Sequence, residues 1–321
     1  MRHIFATLAL IIISTVAVRS AEQEVQIPCS WGNIAATLAT PDTAACDTAA
    51  IIIAGSGPTD RNGNSGLNLN TYAYKMLSDE LIAEGIATLR YDKRAIGGSY
   101  YPAEEVPNVI FDDFVADARD CISYLKTLGY KRIVIIGHSE GGDIALHLAL
   151  DNDDTVVGIV LLSAAGYPVD RVLCRQLAQQ LVPANIALYM QAEKIIHRIK
   201  GGEQVPIEEI PAELLSLFHP SVQPYLTSWM DHDPAELMAQ STTPTLIISG
   251  GHDIQVLVSD AERLAEAGTN ATHVSFPNMS HVLKDCDTTD RIAQLMSVYT
   301  NAQQPLTEGL SSTIANFINN L

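Results

Sequence analysis

Short apolar runs rich in β-branched residues recur along the chain at residues 49–54, 86–91, 131–136, 156–162, 244–249 and 272–276. Their length and composition predict buried strands. Between them lie stretches whose apolar residues return every three or four positions. The clearest holds Phe111, Phe114, Val115, Ala118, Ile122 and Leu125, one face of an amphipathic helix. Residues 71–83, 143–150 and 257–267 also read as helices. Strands alternating with helices predict a mostly parallel central α/β sheet flanked by helices. Ahead of that sheet, residues 25–30 and 33–40 read as two antiparallel strands turning at Trp31-Gly32.

The rhythm stops after Gly166. Over residues 167–243, helical patterning at 172–181, 186–199 and 211–218 is punctuated by Pro183, Pro206, Pro211, Pro220, Pro224 and Pro234, and no core strand is readable. The alternation resumes at residue 244, and the tail from residue 288 holds two helical stretches around Gln303-Gln304-Pro305. The organisation expected is a core of residues 21–166 and 244–321, interrupted by a helical cap at residues 167–243.

Residues 1–20 stand apart. A short basic start, Met1-Arg2-His3, precedes an apolar run from 4 to 18 without acidic residues, and Ser20-Ala21 offers small residues for cleavage. That is the pattern of a secretory signal peptide, and it predicts a secreted or periplasmic protein. The run is short for a membrane span, and no other stretch approaches one. With 37 acidic against 19 basic residues the net charge is −18. So acidic a surface disfavours nucleic acid, anionic membrane and polyanionic substrates.

Five cysteines in an exported chain leave at least one unpaired. Cys29 and Cys46, near the first strands, could bridge if those segments are adjacent. Cys121 falls on the apolar face of a helix and reads as a buried free thiol, while Cys174 and Cys286 are undecided. No C-x-x-C or His-rich spacing suggests a metal site, and no cofactor is expected.

The candidate chemistry centres on Gly137-His138-Ser139-Glu140-Gly141-Gly142, set between the run at 131–136 and the helical stretch at 143–150. Strand, sharp turn and helix are the context in which G-x-S-x-G forms a nucleophile elbow. A serine needs a base to take its proton and an acid to orient the base. In such sheets the chain order is Ser, acid, His. Asp253, just past the run at 244–249, and His281, just past the run at 272–276, occupy those places. The other histidines lie in the leader, inside the elbow, on its helix, in the cap or in strands. The oxyanion donors are expected to be the N–H of Glu140 and one from the glycine-rich loop after residues 49–54, Ser56 or Gly57.

Taken together, Gly55-Ser56-Gly57-Pro58-Thr59-Asp60-Arg61-Asn62-Gly63-Asn64, Tyr91-Asp92-Lys93-Arg94, Phe111-Asp112-Asp113-Phe114, the elbow, Asp253-Ile254-Gln255-Val256 and Ser280-His281-Val282-Leu283-Lys284 resemble the EstD-like bacterial carboxylesterases. These are a branch of the α/β-hydrolase superfamily near the serine aminopeptidase-type hydrolases. The resemblance implies the α/β-hydrolase fold, the triad Ser139, Asp253 and His281, and a small-molecule ester of short or medium acyl chain as substrate. It does not reach into the cap. Ala95 stands where the family usually has glycine, and Asn62 where it often has aspartate. The charges of Asp60-Arg61 and Asp92-Lys93-Arg94 either form an ion-pair network or are solvated. A peptidase or amidase would use the same triad, and a ligand-binding relative without turnover is the alternative from another class.

Overall fold

A computed structural model of the protein describes residues 21–42, 46–66 and 68–321. The predicted signal peptide lies outside the described residues. The chain opens with an antiparallel pair, β1 (Ala21–Cys29) and β2 (Gly32–Thr40), turning at Trp31-Gly32 as the pattern predicts. Then follow β3 (Thr48–Ile53), a small hairpin of β4 (Asn64–Ser65) and β5 (Leu69–Asn70), α1 (Ala73–Ala83), β6 (Ala87–Tyr91) and α2 (Phe111–Thr127). The elbow unit is β7 (Arg132–His138) and α3 (Glu140–Ala149), and β8 (Val156–Leu162) comes next.

Residues 163–244 contain no strand. They carry α4 (Val169–Leu181), α5 (Ile186–Lys200), α6 (Leu215–Phe218), α7 (Gln223–Met230) and α8 (Pro234–Gln240). The sheet then resumes with β9 (Thr245–Gly250), α9 (Val258–Ala267) and β10 (Ala271–Phe276), and the chain closes with α10 (Arg291–Ser297) and α11 (Leu310–Asn319).

Eight strands form one sheet in the order β1-β2-β6-β3-β7-β8-β9-β10. β2 is antiparallel to both β1 and β6, and every pair from β6 to β10 is parallel. From β3 the chain moves to one side to make β6, then to the other to make β7. Open α/β sheets bind ligands at the carboxyl ends of strands where the winding reverses, here at β3 and β7. Side-chain alternation sorts the core into two layers. Ile51 and Ile53 face the layer of α2 and α3, whereas Ala50 and Ile52 face α1 and α11.

The charged loops resolve into ion pairs rather than solvated groups. Arg94 makes a two-pronged contact with Asp117 at 2.8 and 2.7 Å, Arg61 meets Glu24 at 2.9 Å, and Asp92 accepts the N–H groups of Arg61 and Gly98. Only Arg61 and Asp92 link the two sequence clusters directly, at 3.7 Å. Ala95, at the family's glycine position, takes a left-handed φ of 65°, which a residue with a Cβ adopts at a cost. Asn62, at the position often held by aspartate, accepts from the buried Arg90.

All five cysteines are free, so the Cys29–Cys46 bridge does not form. The sheet explains why. Cys29 pairs with Gly32 at the turn into β2, which runs antiparallel to β6 and begins near Tyr91 at that strand's carboxyl end. The Cys46 thiol lies between Thr48 O and Gly85 O, either of which can accept its one hydrogen, next to the opposite end of β6. The two thiols lie at opposite ends of the strands. Cys121 is fully buried, as its helical face predicts.

Candidate active site

Ser139 sits between the last residue of β7 and the first of α3, with φ 52° and ψ −119°. That backbone is strained for a residue bearing a Cβ, and such strain collects at functional sites. It persists because strand and helix meet too closely for any relaxed alternative. A Cβ added at Gly137 would lie 2.0 Å from the Gly141 carbonyl oxygen, and one at Gly141 would lie 2.4 Å from the Ile53 oxygen.

Asp253 lies three residues beyond β9 and is buried. Its Oδ1 accepts the N–H groups of Gln255 at 2.8 Å and Val256 at 2.9 Å, and its Oδ2 lies 2.8 Å from His281 Nδ1. Burial alone would push this carboxyl's pKa up. The charge and hydrogen bond of His281, with the two backbone bonds, outweigh burial and hold it below the ordinary value. A carboxylate can only accept, so Nδ1 carries a hydrogen and the neutral form of the ring has its lone pair on Nε2. Ser139 and His281 line the same cavity of about 190 Å³. No hydrogen bond joins the Ser139 hydroxyl to the ring among the described residues; such contacts often tighten only with substrate bound.

The oxyanion candidates face a second cavity, of about 290 Å³, which Ser56, Gly57, Ser139 and Glu140 line together. Glu140 is the first residue of α3, where the helix itself leaves the N–H without a partner. Gly55 is pinned on both faces. Its N–H donates to Tyr74 Oη at 3.1 Å, and its carbonyl accepts from Lys93 Nζ at 2.6 Å. Lys93, itself buried, also reaches Glu140 Oε2 at 3.3 Å. One lysine thus ties the loop after β3 to the first turn of the elbow helix.

Two further side chains complete the frame. Tyr74 Oη lies 2.8 Å from His138 Nδ1, and His138 Nε2 lies 2.8 Å from the His281 carbonyl. Burial drives the His138 pKa down to about 3, with the neighbouring His281 adding to it, so the ring is neutral at ordinary pH. Donor and acceptor roles then follow without choice. The carbonyl can only accept, so Nε2 carries the hydrogen and Nδ1 accepts from the Tyr74 hydroxyl, whose oxygen accepts from Gly55. One directed chain therefore runs from the loop after β3 to the backbone of His281. The sequence excludes His138 as base but carries no signal for Tyr74, whose partners depend on how α1 packs under the elbow. No group of three His, Cys, Asp or Glu side chains among the described residues could hold a metal ion.

A mixed sheet of this strand order, with a strained serine at the carboxyl end of a central strand and an Asp–His pair beyond the later ones, defines the α/β-hydrolase fold. Within it the chain belongs to the hydrolase family described as serine aminopeptidase, S33, whose profile matches residues 64–285. Esterase EstD of Thermotoga maritima is 25% identical over 239 residues, covering 73% of this chain and 54% of its own length, so the chain spans about half of that relative. Epoxide hydrolase 3 of Xenopus tropicalis is 30% identical over 99 residues, 31% of this chain and 26% of the relative. Among solved structures, the Pyrococcus furiosus esterase Pf2001 superposes with a TM-score of 0.57 at 17% identity, covering 94% of this chain and 91% of its own. The Exiguobacterium antarcticum esterase EaEST gives 0.57 at 16%, covering 92% and 100%. At such identities these two likenesses speak for the fold alone.

Proposed function

We propose that the protein is a serine esterase cleaving small carboxylic esters of short to medium acyl chain, exported by virtue of residues 1–20. The observation that carries this reading is the strained Ser139 opening onto one cavity with the buried His281–Asp253 pair. Ser139 Oγ attacks the ester carbonyl while His281 Nε2 takes its proton. The N–H groups of Glu140 and of Ser56 or Gly57 receive the charge that develops on the carbonyl oxygen. Nε2 then protonates the departing alcohol, and water releases the acyl group by the same steps in reverse roles.

Because Nε2 delivers that proton, the alcohol leaves on the His281 side, into the cavity of about 190 Å³. The acyl chain takes the other, of about 290 Å³, walled by Val172 and Leu173 of α4, Leu217 of α6, and Leu226 and Trp229 of α7. Helices α4–α8 would thus serve as the cap. Ester is favoured over aminopeptidase chemistry by charge. Among the described residues the only carboxylate lining these two cavities is Glu140, which is buried and has Lys93 on its Oε2, so no exposed carboxylate there is set to receive a substrate's α-ammonium.

The test is hydrolysis of p-nitrophenyl acetate, butyrate, octanoate and palmitate by the mature protein beside Ser139→Ala. Turnover should peak at the short or medium chains and fall by on the order of 10⁶ in the variant. Activity that survives the substitution would remove Ser139 as nucleophile, and turnover confined to peptide amides would remove the esterase reading.

A further inference from the structure

The leaving-group cavity does not end at His281. Leu69, Gln255 and Tyr299 line it and also line a larger groove, of about 650 Å³, running between α4 and the start of α10. That volume lies within the range of about 300–1,000 Å³ typical of small-ligand sites. The groove differs in chemistry from the acyl side. Gln176, Gln179 and Gln180 of α4 form one wall, Gln255 bridges to the leaving-group cavity, and Arg291 stands opposite.

Their hydrogen bonds leave the means to bind. Gln176 donates to the Gln255 carbonyl at 3.1 Å and Gln255 donates to Tyr299 Oη at 2.8 Å. Both side-chain carbonyls, and the Tyr299 hydroxyl hydrogen, are not used in those bonds. Gln179 and Gln180 are exposed. Of the groove's two carboxylates, buried Asp253 is taken up by His281, while exposed Asp290 caps α10 through its Oδ1 to the Ala293 N–H and adjoins Arg291. The polar groups free to bind are neutral amides, a phenol, the Thr289 hydroxyl and one guanidinium, set among the apolar side chains of Leu69, Ile254, Leu257 and Leu295. An amide both donates and accepts, and so does an alcohol hydroxyl. A single hydroxyl would use little of this surface, and with Arg291 beside Asp290 the groove gives a cationic alcohol no net advantage.

From this we infer that the alcohol part of the substrate is polyhydroxylated and of sugar size, so that the enzyme releases an apolar acyl group from a carbohydrate ester. The inference rests on the esterase reading and on the alcohol leaving beside His281. The esterified hydroxyl would lie at Ser139, with the rest of the sugar extending past Gln255 and Tyr299 between α4 and α10.

The experiment compares kcat/KM for 6-O-octanoyl-glucose, 1-monooctanoylglycerol and ethyl octanoate, each with the native protein, with Gln179→Leu/Gln180→Leu and with Tyr299→Phe. The expected result is a preference of about tenfold or more for the glucose ester over the ethyl ester, as one or two added hydrogen bonds would give. That ratio should fall toward one in both variants. Gln179 and Gln180 are exposed and Tyr299→Phe keeps the ring, so folding is preserved. Equal rates on the glucose and ethyl esters, or a preference untouched by the variants, would overturn the assignment of the groove. Preference for the glycerol ester over the glucose ester would overturn the sugar-sized alcohol. If the p-nitrophenyl esters are turned over while the sugar preference is absent, only this inference falls; if no ester is cleaved, the esterase reading falls with it.

Discussion

Tyr74 stands between two groups that only a hydroxyl can satisfy at once, the Gly55 N–H and the His138 Nδ1 lone pair. Tyr74→Phe keeps the ring but leaves both without a partner in a buried place. Each such orphan costs about 1–3 kcal/mol, and the freed groups are the ones that hold the loop after β3 and the His281 backbone. The expected outcome is a moderate fall in unfolding free energy and a fall in kcat with KM on p-nitrophenyl butyrate little changed. A KM effect alone would assign Tyr74 to substrate binding instead. Ser139, Asp253 and His281 were locatable in the sequence because strand–turn–helix context and chain order both constrain them. Tyr74 and Lys93 were not, since a hydrogen bond across 64 residues or an ion pair across 47 leaves no local pattern.

At the scale of elements, the insertion is fastened to the elbow helix by one buried bond. Trp229 of α7 donates its indole N–H to Asp143 Oδ2 of α3 at 2.7 Å and stacks on Phe111 of α2 with ring centroids 5.7 Å apart. Burial pushes the Asp143 carboxyl up to about 8, with nearby carboxylates adding to it and the indole bond opposing. The native state therefore keeps a proton that the unfolded chain releases near the ordinary value of 3.8. Its contribution is complete below that pH and drains away as pH rises toward about 8. Asp143→Asn retains an acceptor for Trp229 and cannot ionise. Urea unfolding at pH 5, 6.5 and 8 should show the native protein losing stability relative to this variant by up to about 1.4 kcal/mol per pH unit. A pH-independent difference would show that Asp143 is ionised throughout. Helices α4 and α5 were legible from apolar periodicity. The short α7 and α8 were not, because each is led in by a proline, Pro224 or Pro234, and is too brief for a period to repeat.

For the whole molecule the sheet was the most legible part, since buried parallel strands read as continuous apolar runs. Every parallel strand falls within two residues of its predicted place, whereas β1 begins four residues ahead of the start read at residue 25. The hairpin of β4 and β5, with two residues in each strand, lies below what alternation can reveal. Partner choice among cysteines was also invisible, because it depends on strand order rather than on distance along the chain. With every thiol free, stability rests on the core and its ion pairs. The melting temperature of the purified protein is expected to be the same with and without excess dithiothreitol; a fall on reduction would reveal a cross-link.

The backbone at Ser139 has a consequence for anyone who would improve this protein. A side chain held at φ 52° costs on the order of 1–3 kcal/mol, against a total of about 5–15 kcal/mol for a typical domain. Glycine alone is released from that cost. A library screened only for heat tolerance would therefore accumulate glycine at position 139, and on the proposed mechanism its sturdiest members would lack the nucleophile.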